Sequence, residues 1–370
     1  MKTSFGLFLL CLLATPAFGA ETSVAPPVVF ATPTNRNDQA SGVGSGKITV
    51  DPDSQKLVKG GSAEGSNQMQ RLIQNLDSGG AALQISDVPR ATQMGNPPAP
   101  EGAPGTGRYF PPVPPHPELP TLWLIGDSTV RNGTLGDGSN LNQWGWGAPL
   151  VAYFNPEKIN VVNRAFGGTS SRSFYTGFFW QNLRPQIKKG DYVILQFGAN
   201  DNGGAAGKGA LKGVGPETED VARNGKTETV HTFGWYLEQF VKETRAQGAT
   251  PIICSLTPRK NWTSDGHFRR DNTTHVAWAA EAAKSTGTPF VDLYEIIARK
   301  YESLGQEKVT PLYVPSPKEN LHTGWDGAVI NAECVIAGLK GLKEDPLAPY
   351  FSARASEVKA IAMDEGAPKK

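Results

Sequence analysis

The 370-residue sequence predicts a three-layer α/β/α sandwich around a five-stranded, mostly parallel sheet, spanning residues 119–345. Short, nearly continuous apolar runs alternate with longer amphipathic stretches, which is the pattern of strands buried on both faces and covered by helices. This region of roughly 230 residues is also long enough for a single domain to bury a substantial core.

Five apolar runs are the predicted strands. They are TLWLIG (121–126), INVVNRA (159–165), DYVILQFG (191–198), TPIICSL (250–256) and TPFVDL (288–293). Each is short and rich in aliphatic or aromatic residues, as expected of strands in a buried sheet.

Amphipathic stretches between and after these strands are the predicted helices. Gly248 and Gly287 end the first two, because glycine readily adopts the left-handed conformation that follows a helix. The four predicted helices are WYLEQFVKETRAQG (235–248), HVAWAAEAAKSTG (275–287), DLYEIIARKYESLG (292–305) and a closing helix over about 326–343.

The segments flanking the sandwich have different compositions. Residues 1–20 are predicted to be a secretory signal peptide, with Lys2 before a short apolar run and an Ala-x-Gly cleavage motif. We therefore expect export to the periplasm or the medium. Residues 21–118, rich in Pro, Gly and Ser, predict a low-complexity extension, with a small accessory module as the alternative. Residues 346–370 are predicted to be a C-terminal tail.

Charge and cysteine content exclude several classes of partner and scaffold. The chain has 36 Lys and Arg against 35 Asp and Glu, so no net charge favours nucleic acid or an anionic membrane. No stretch reaches the roughly 18 apolar residues of a membrane-spanning helix. Two cysteines outside the signal, Cys254 and Cys334, are too few for a disulfide framework, and we expect buried thiols. The oligomeric state stays open.

Glycine and polar residues follow the first three predicted strands. Asp127 and Ser128 follow the first, Gly168 lies in the turn after the second, and Asn200 follows the third. Ligands of parallel sheets bind beyond the carboxyl ends of the strands, so these turns are expected to share one edge. A hydroxyl, a glycine N–H and an asparagine amide together provide a nucleophile and oxyanion donors. The sequence therefore predicts acyl transfer at Ser128.

His322 is the candidate base for this hydroxyl. Among 5 histidines it falls after the last predicted strand and before the closing helix, which places it on the same edge as Ser128. Glu319 can accept a hydrogen bond from the other imidazole nitrogen and fix the tautomer. The sequence has no H-E-x-x-H motif or comparable ligand cluster, and we expect neither a metal nor another cofactor.

Several motifs together resemble one known family. GDST at 126–129, the glycine after strand two, G-x-N-D at 198–201 and the late acid-x-x-His resemble the SGNH, or GDSL, hydrolases. Longer segments are similar to bacterial rhamnogalacturonan acetylesterases; they include NRAFGGTSSRSF, CSLTPRKNW and HTGWDGAVINAECVIAGL. This resemblance covers about residues 119–345 and implies an SGNH-like, flavodoxin-like fold.

The resemblance also implies roles for individual residues. Ser128 would be the nucleophile, His322 the base and Glu319 the orienting acid, with Ser128, Gly168 and Asn200 forming the oxyanion hole. The family usually has aspartate at the position of Glu319 and often histidine at the position of Ala199. The implied activity is a serine esterase that removes acetyl groups from a plant cell-wall polysaccharide, most specifically rhamnogalacturonan, without a cofactor.

Five residues near the strand ends are candidate substrate contacts. Arginines in this part of the chain, including Arg172 and Arg259, present a planar fork suited to a galacturonate carboxylate, and Trp262 is a candidate to stack on a sugar ring. A structural role stays open for each of them. The candidates are Asp127, Arg172, Asp201, His231 and Trp262.

Three alternative functions stay open from the sequence. An esterase of the same type could act on another acetylated glycan such as xylan. A GDSL-type lipase or thioesterase for short chains is a second alternative, although the expected rim is polar and carries arginines. A glycan-binding protein without catalytic activity is the alternative from another class.

Overall fold

A computed structural model describes residues 111–131, 143–223, 225–271 and 273–361. The predicted signal peptide (1–20) lies outside these residues. So do all but the last few residues of the predicted extension (21–118) and the end of the predicted tail.

The central sheet has five parallel strands, in the spatial order Asn160–Asn163, Thr121–Gly126, Tyr192–Gln196, Thr250–Cys254 and Phe290–Val291. It is the doubly wound order of flavodoxin-like folds. All five predicted strands are confirmed, as is the predicted α/β fold. The strands of the described residues are β1 (Thr121–Gly126), β2 (Asn160–Asn163), β3 (Tyr192–Gln196), β4 (Thr218–Arg223), β5 (Lys226–His231), β6 (Thr250–Cys254) and β7 (Phe290–Val291).

Helices cover both faces of this sheet. The four helices predicted from the sequence are confirmed over residues 233–246, 273–286, 293–304 and 325–340, with ends displaced by no more than three residues. The α-helices of the described residues are α1 (Gly147–Leu150), α2 (Ser171–Thr176), α3 (Phe178–Leu183), α4 (Phe233–Ala246), α5 (Thr273–Thr286), α6 (Leu293–Leu304), α7 (Gln306–Val309), α8 (Trp325–Lys340) and α9 (Ala353–Ser356).

Alternate residues of β1 enter two different cores. Leu122 and Leu124 pack with α6 and α8 on one face. Trp123 and Ile125 pack with helices α2 to α5 on the other. Each such side chain contributes about 1.5–3 kcal/mol when it is fully buried. The continuous apolar sequence of β1 therefore follows from its burial on both faces.

An antiparallel hairpin of β4 and β5 stands apart from the central sheet and was not predicted from the sequence. Its strands, TEDVAR and KTETVH, are polar and mostly exposed, so they lack the apolar alternation by which strands are recognised. A usable signal was nevertheless present. In the sequence, Asn224-Gly225 falls between these two segments, and Asn-Gly is a strong indication of a tight hairpin.

Residues 346–361, the described part of the predicted tail, pack on the domain. Phe351 forms an isolated antiparallel bridge with Phe154, and the Ile361 N–H donates to the Ala337 carbonyl. Cys254 and Cys334 are buried free thiols, and burial raises the pKa of both to about 12. Within the described ranges, no helix is long and apolar enough to cross a membrane.

Candidate active site

Ser128 lies in the turn that directly follows β1. The Asp127 carbonyl accepts hydrogen bonds from the N–H groups of Val130 and Arg131, which close the turn. Gly126 is required at the end of the strand, because a Cβ there would lie 2.6 Å from the Gln196 carbonyl oxygen and 2.6 Å from a Val130 methyl group. The turn at the end of β1 is therefore tight, and Ser128 is only 7% exposed.

His322, which lies near the C-terminal end of the domain in sequence, contacts this serine. The Ser128 Oγ lies 2.8 Å from His322 Nε2, across 194 residues of sequence. The segment before α8 is closed on itself by a bridge between Tyr313 and Thr323. It is tied to the rest of the domain at Thr323, whose carbonyl accepts the Trp144 N–H at 2.9 Å and whose hydroxyl donates to the Trp144 carbonyl at 2.8 Å. The two residues that the sequence predicts as nucleophile and base are therefore in hydrogen-bond contact.

Glu319 holds the imidazole from the other side. Its Oε2 lies 2.9 Å from His322 Nδ1, and its Oε1 accepts the backbone N–H groups of Leu321 at 2.8 Å and His322 at 2.9 Å. Partial burial would raise the pKa of Glu319, but these donors outweigh it and hold the pKa below its usual range. An ionised carboxylate only accepts, so Nδ1 carries the proton and Nε2 presents its lone pair to Ser128.

The turn after β2 supplies backbone donors beside this serine. Thr169 Oγ1 donates to the Gly126 carbonyl at 3.2 Å, and the Phe166 N–H donates to the same carbonyl at 3.0 Å, which holds the turn against the end of β1. Gly168 has a φ of 75°, a conformation that glycine adopts without strain. Among the described residues, the Ser128 and Gly168 N–H groups have no hydrogen-bond acceptor.

Asn200 adds a side-chain amide to the same turn. Its Nδ2 donates to the Thr169 carbonyl at 3.1 Å, which uses one of its two N–H bonds. The second N–H has no acceptor among the described residues. Three N–H groups without an acceptor among the described residues, those of Ser128, Gly168 and Asn200, therefore lie on turns that are hydrogen-bonded to one another or to the end of β1. Donors of this kind can stabilise an oxyanion.

Lys208 also lies at this turn and was not singled out from the sequence. Its Nζ donates to the Gly168 carbonyl at 2.5 Å and to Asn200 Oδ1 at 3.4 Å. In the sequence it belongs to the glycine-rich stretch GKGALKG, where a lysine is indistinguishable from a solvated surface residue. Only the folded chain brings it to Gly168 and Asn200.

Two of the predicted substrate contacts are buried carboxyl groups that brace the turns. Asp127 is 0% exposed and accepts the N–H and hydroxyl of Thr129, both at 2.8 Å. Asp201 accepts the Ser171 hydroxyl at 2.6 Å and the Ser171 N–H at 3.1 Å. Burial raises the pKa of both carboxyls, that of Asp201 to about 6. Neither side chain presents a surface to a polysaccharide.

Arg172 is likewise an internal residue, 1% exposed. It forms a two-pronged ion pair with Glu228 of β5, at 2.9 Å and 2.8 Å. Its Nη1 donates to the carbonyls of Ala205, Gly207 and Gly209 at 2.9, 3.3 and 3.0 Å. These contacts occupy the guanidinium within the protein, so its position supports a role in holding the segment 203–231.

His231 and Trp262 are partly buried within aromatic clusters. The His231 ring stacks on Trp235 with centroids 3.6 Å apart, and burial lowers its pKa. Trp262 packs edge-on against Phe268 at 4.9 Å. The His231 Nδ1 and the Trp262 Nε1 are buried without a hydrogen-bond partner among the described residues. The described contacts of both side chains are those of packing.

Comparison with known proteins identifies the family of the chain. Residues 124–316 match the model of the GDSL-like lipase/acylhydrolase family, a range that contains Ser128, Gly168 and Asn200 and ends before His322. The rhamnogalacturonan acetylesterase of Emericella nidulans is 32% identical over 219 residues, covering 58% of this chain and 83% of its own. A probable rhamnogalacturonan acetylesterase of Bacillus subtilis is 31% identical over 223 residues, covering 60% and 93%.

A solved structure is also similar. The crystal structure of the Bacillus subtilis protein YxiM is 26% identical, with a TM-score of 0.49, and the match covers 60% of this chain and 56% of that one. The family match spans more than half of the chain, and the resemblance read from the sequence motifs is confirmed. The chain belongs to the GDSL-like lipase/acylhydrolase family and is a serine ester hydrolase by that membership.

Proposed function

We propose that this ester hydrolase removes O-acetyl groups from acetylated rhamnogalacturonan. The observation that carries the proposal is the contact of 2.8 Å between Ser128 Oγ and His322 Nε2, with Glu319 on the opposite ring nitrogen. It supplies an activated hydroxyl, and an acetyl ester is the simplest group that such a hydroxyl attacks.

Acylation begins when Ser128 Oγ attacks the acetyl carbonyl carbon and its proton passes to His322 Nε2. The carbonyl oxygen becomes an oxyanion, which the N–H groups of Ser128, Gly168 and Asn200 would stabilise. When the tetrahedral intermediate collapses, the bond to the sugar oxygen breaks. The sugar oxygen takes the proton from His322 and leaves as a free hydroxyl, and the acetyl group stays on Ser128.

Deacylation repeats these steps with water. His322 accepts a proton from a water molecule that attacks the acetyl-serine, the same donors hold the new oxyanion, and acetate leaves as the proton returns to Ser128 Oγ. Glu319 stays ionised throughout and stabilises the imidazolium that forms in each half-reaction. No step requires a group beyond the chain and water.

The polysaccharide substrate is supported by the relatives and by charge at the base segment. Two relatives carry the name rhamnogalacturonan acetylesterase or probable rhamnogalacturonan acetylesterase. In this chain the Arg259 Nη1 donates to Asn320 Oδ1 at 3.1 Å, within the segment that carries Glu319 and His322. A guanidinium beside the base is suited to an acidic sugar, because it can bind a uronate carboxylate in two-pronged fashion.

Acetate release from three substrates tests this proposal. The chain is incubated with acetylated rhamnogalacturonan, acetylated xylan and glycerol triacetate, and Ser128→Ala serves as the control. We expect the highest kcat/KM on rhamnogalacturonan and a loss in the variant on the order of 10⁶-fold in kcat. A higher kcat/KM on xylan or on the neutral glyceride would contradict the substrate, and full activity of Ser128→Ala would contradict the mechanism.

Export and the extension belong to the same proposal. We infer that residues 1–20 direct export and that residues 21–118 link the catalytic domain to the new N-terminus. N-terminal sequencing of the chain recovered from an expressing bacterium tests the first part. A start near residue 21 is expected, and an intact Met1 on the active enzyme would contradict it.

A further inference from the structure

We propose that Lys208 is a positioning residue for the oxyanion hole, which it serves by fixing the amide of Asn200. This inference rests on the proposed function, since it concerns how that site stabilises the reacting oxygen. Its basis is the pair of contacts from the Lys208 Nζ to the Gly168 carbonyl at 2.5 Å and to Asn200 Oδ1 at 3.4 Å.

The two ends of the Asn200 amide have different partners. An ammonium only donates, so the atom facing Lys208 is the carbonyl oxygen, and the atom facing the Thr169 carbonyl is the NH₂ nitrogen. One contact alone would leave the amide free to swing about it, whereas contacts at opposite ends fix its plane. The second N–H of Nδ2 then keeps a constant direction, which is the condition for an oxyanion donor to act without reorganisation.

The same ammonium fixes the turn that carries Gly168. That residue has a φ of 75° and no side chain to anchor it, and the position of a Cβ there would have Lys208 Nζ, 3.7 Å away, as its nearest neighbour. The hydrogen bond to the Gly168 carbonyl therefore supplies a restraint that glycine itself lacks. Lys208 connects the backbone donor and the side-chain donor of one oxyanion hole.

The backbone beneath Lys208 is itself held in place. Its own carbonyl accepts a hydrogen bond from the Ser170 hydroxyl. The carbonyls of Ala205, Gly207 and Gly209 on either side are bound by the buried Arg172. Four carbonyls within five consecutive residues are thus tied to the start of α2. An exposed lysine on a backbone restrained in this way loses less entropy when its ammonium binds at one place.

Steady-state kinetics on 4-nitrophenyl acetate test the proposal, because this neutral substrate carries no carboxylate for a lysine to bind. Lys208→Met keeps most of the aliphatic stem and removes the donors. We expect kcat to fall by about 10- to 100-fold with KM unchanged, below the roughly 10² to 10³ that loss of one oxyanion donor costs. Lys208→Arg, which can still donate to both acceptors, should restore most of kcat. Lys212→Met, at an exposed lysine in the same loop, is the matched control.

The double variant Asn200→Ala/Lys208→Met separates positioning from other roles. If Lys208 acts through Asn200, its removal costs less once the amide is gone, so the two losses are not additive. Equal losses from Lys208→Met in both backgrounds would overturn the proposal, since Lys208 would then act independently of Asn200. An unchanged kcat on 4-nitrophenyl acetate, with KM raised only on the acidic polysaccharide, would overturn it in favour of substrate binding.

Failure of this inference can be told from failure of the proposed function. Ser128→Ala, run beside these variants, reports on the serine mechanism alone. If Ser128→Ala is inactive while Lys208→Met matches Lys212→Met, the esterase mechanism stands and the role of Lys208 is wrong. If Ser128→Ala stays active, the proposed function fails irrespective of Lys208. Melting temperatures of all variants exclude unfolding as the cause of a loss.

Discussion

The strand ends and the segment 203–231 are two regions that meet at the site but are built differently. The turn after β2 is fastened by hydrogen bonds to the end of β1, where the Thr169 hydroxyl and the Phe166 N–H donate to the Gly126 carbonyl. The segment 203–231 is largely polar and includes the hairpin of β4 and β5. It is held at Arg172, which binds Glu228 and three of its carbonyls. Hydrogen bonds to the end of a buried strand thus position one region, and the contacts of a single buried arginine position the other.

Removal of the base, which acts on Ser128 at the strand ends, is expected to have the largest effect on activity. In His322→Ala no group near Ser128 takes its proton, and we expect kcat on 4-nitrophenyl acetate to fall on the order of 10⁶-fold, as for removal of the serine. His267→Ala is the control, since that side chain is 71% exposed. A loss confined to a few fold in His322→Ala would show that another base acts.

Replacement of the acid tests the tautomer. In Glu319→Gln the amide oxygen keeps the two backbone N–H groups that Oε1 now accepts, so the NH₂ group would face His322 Nδ1 and disfavour its protonated form. The substitution also removes the negative charge that stabilises the imidazolium. We expect kcat to fall about 10⁴-fold with the fold intact. The measurement is kcat together with the melting temperature. A variant that retains more than a tenth of wild-type kcat would contradict the role of Glu319.

Loss of Arg172 is expected to destabilise the segment 203–231. Arg172→Met leaves Glu228 and three carbonyls without their shared donor, and removal of one partner from a buried ion pair costs roughly 3–5 kcal/mol. We expect the free energy of unfolding in urea to fall by about this amount, with faster proteolysis within 203–231. The control is Arg223→Met, whose 49% exposed side chain lies 3.8 Å from the same Glu228 and should contribute less than about 1 kcal/mol. Equal losses of unfolding free energy in the two variants would contradict the claim that Arg172, rather than Arg223, holds this segment.

The smallest expected effect is a pH dependence of stability that arises from Asp201. Burial raises the pKa of Asp201 to about 6, so its protonated form stabilises the fold, and this contribution is lost as pH rises from about 4 through 6. The loss is on the order of 2–3 kcal/mol. Asp201→Asn cannot ionise, so the wild-type melting temperature should decline relative to the variant between pH 4 and 7. Parallel curves for the two proteins would contradict the raised pKa.

The strand-end region could be predicted because apolar strands and amphipathic helices alternate regularly along the sequence. The five strands and four long helices follow from apolar periodicity, and the rule that parallel strands end at one edge brings Ser128, Gly168 and Asn200 together. His322 and Glu319 follow from the position of one histidine after the last strand. The contact of 2.8 Å between Ser128 and His322 joins residues 194 apart, and no local pattern in the sequence shows that they lie close together.

The segment 203–231 was not open to prediction in the same way. Arg172 looks like a surface arginine in sequence, and its partner Glu228 lies 56 residues further on. Asp201 and Arg172 were therefore candidates for substrate contact, whereas the fold buries both. Lys208 shows the converse, since its glycine-rich sequence gives no sign that it contacts the turn of Gly168. Buried charges are paired by tertiary structure, and sequence spacing does not reveal the pairs.

Labelling by a fluorophosphonate probe, followed by peptide mapping, tests the central claim most directly. The claim is that the Ser128 hydroxyl is activated by His322 through their hydrogen bond. We predict a single adduct on Ser128 in the wild-type chain, no adduct in Ser128→Ala, and labelling slowed by several orders of magnitude in His322→Ala. An adduct on another residue, or labelling of His322→Ala at the wild-type rate, would contradict it.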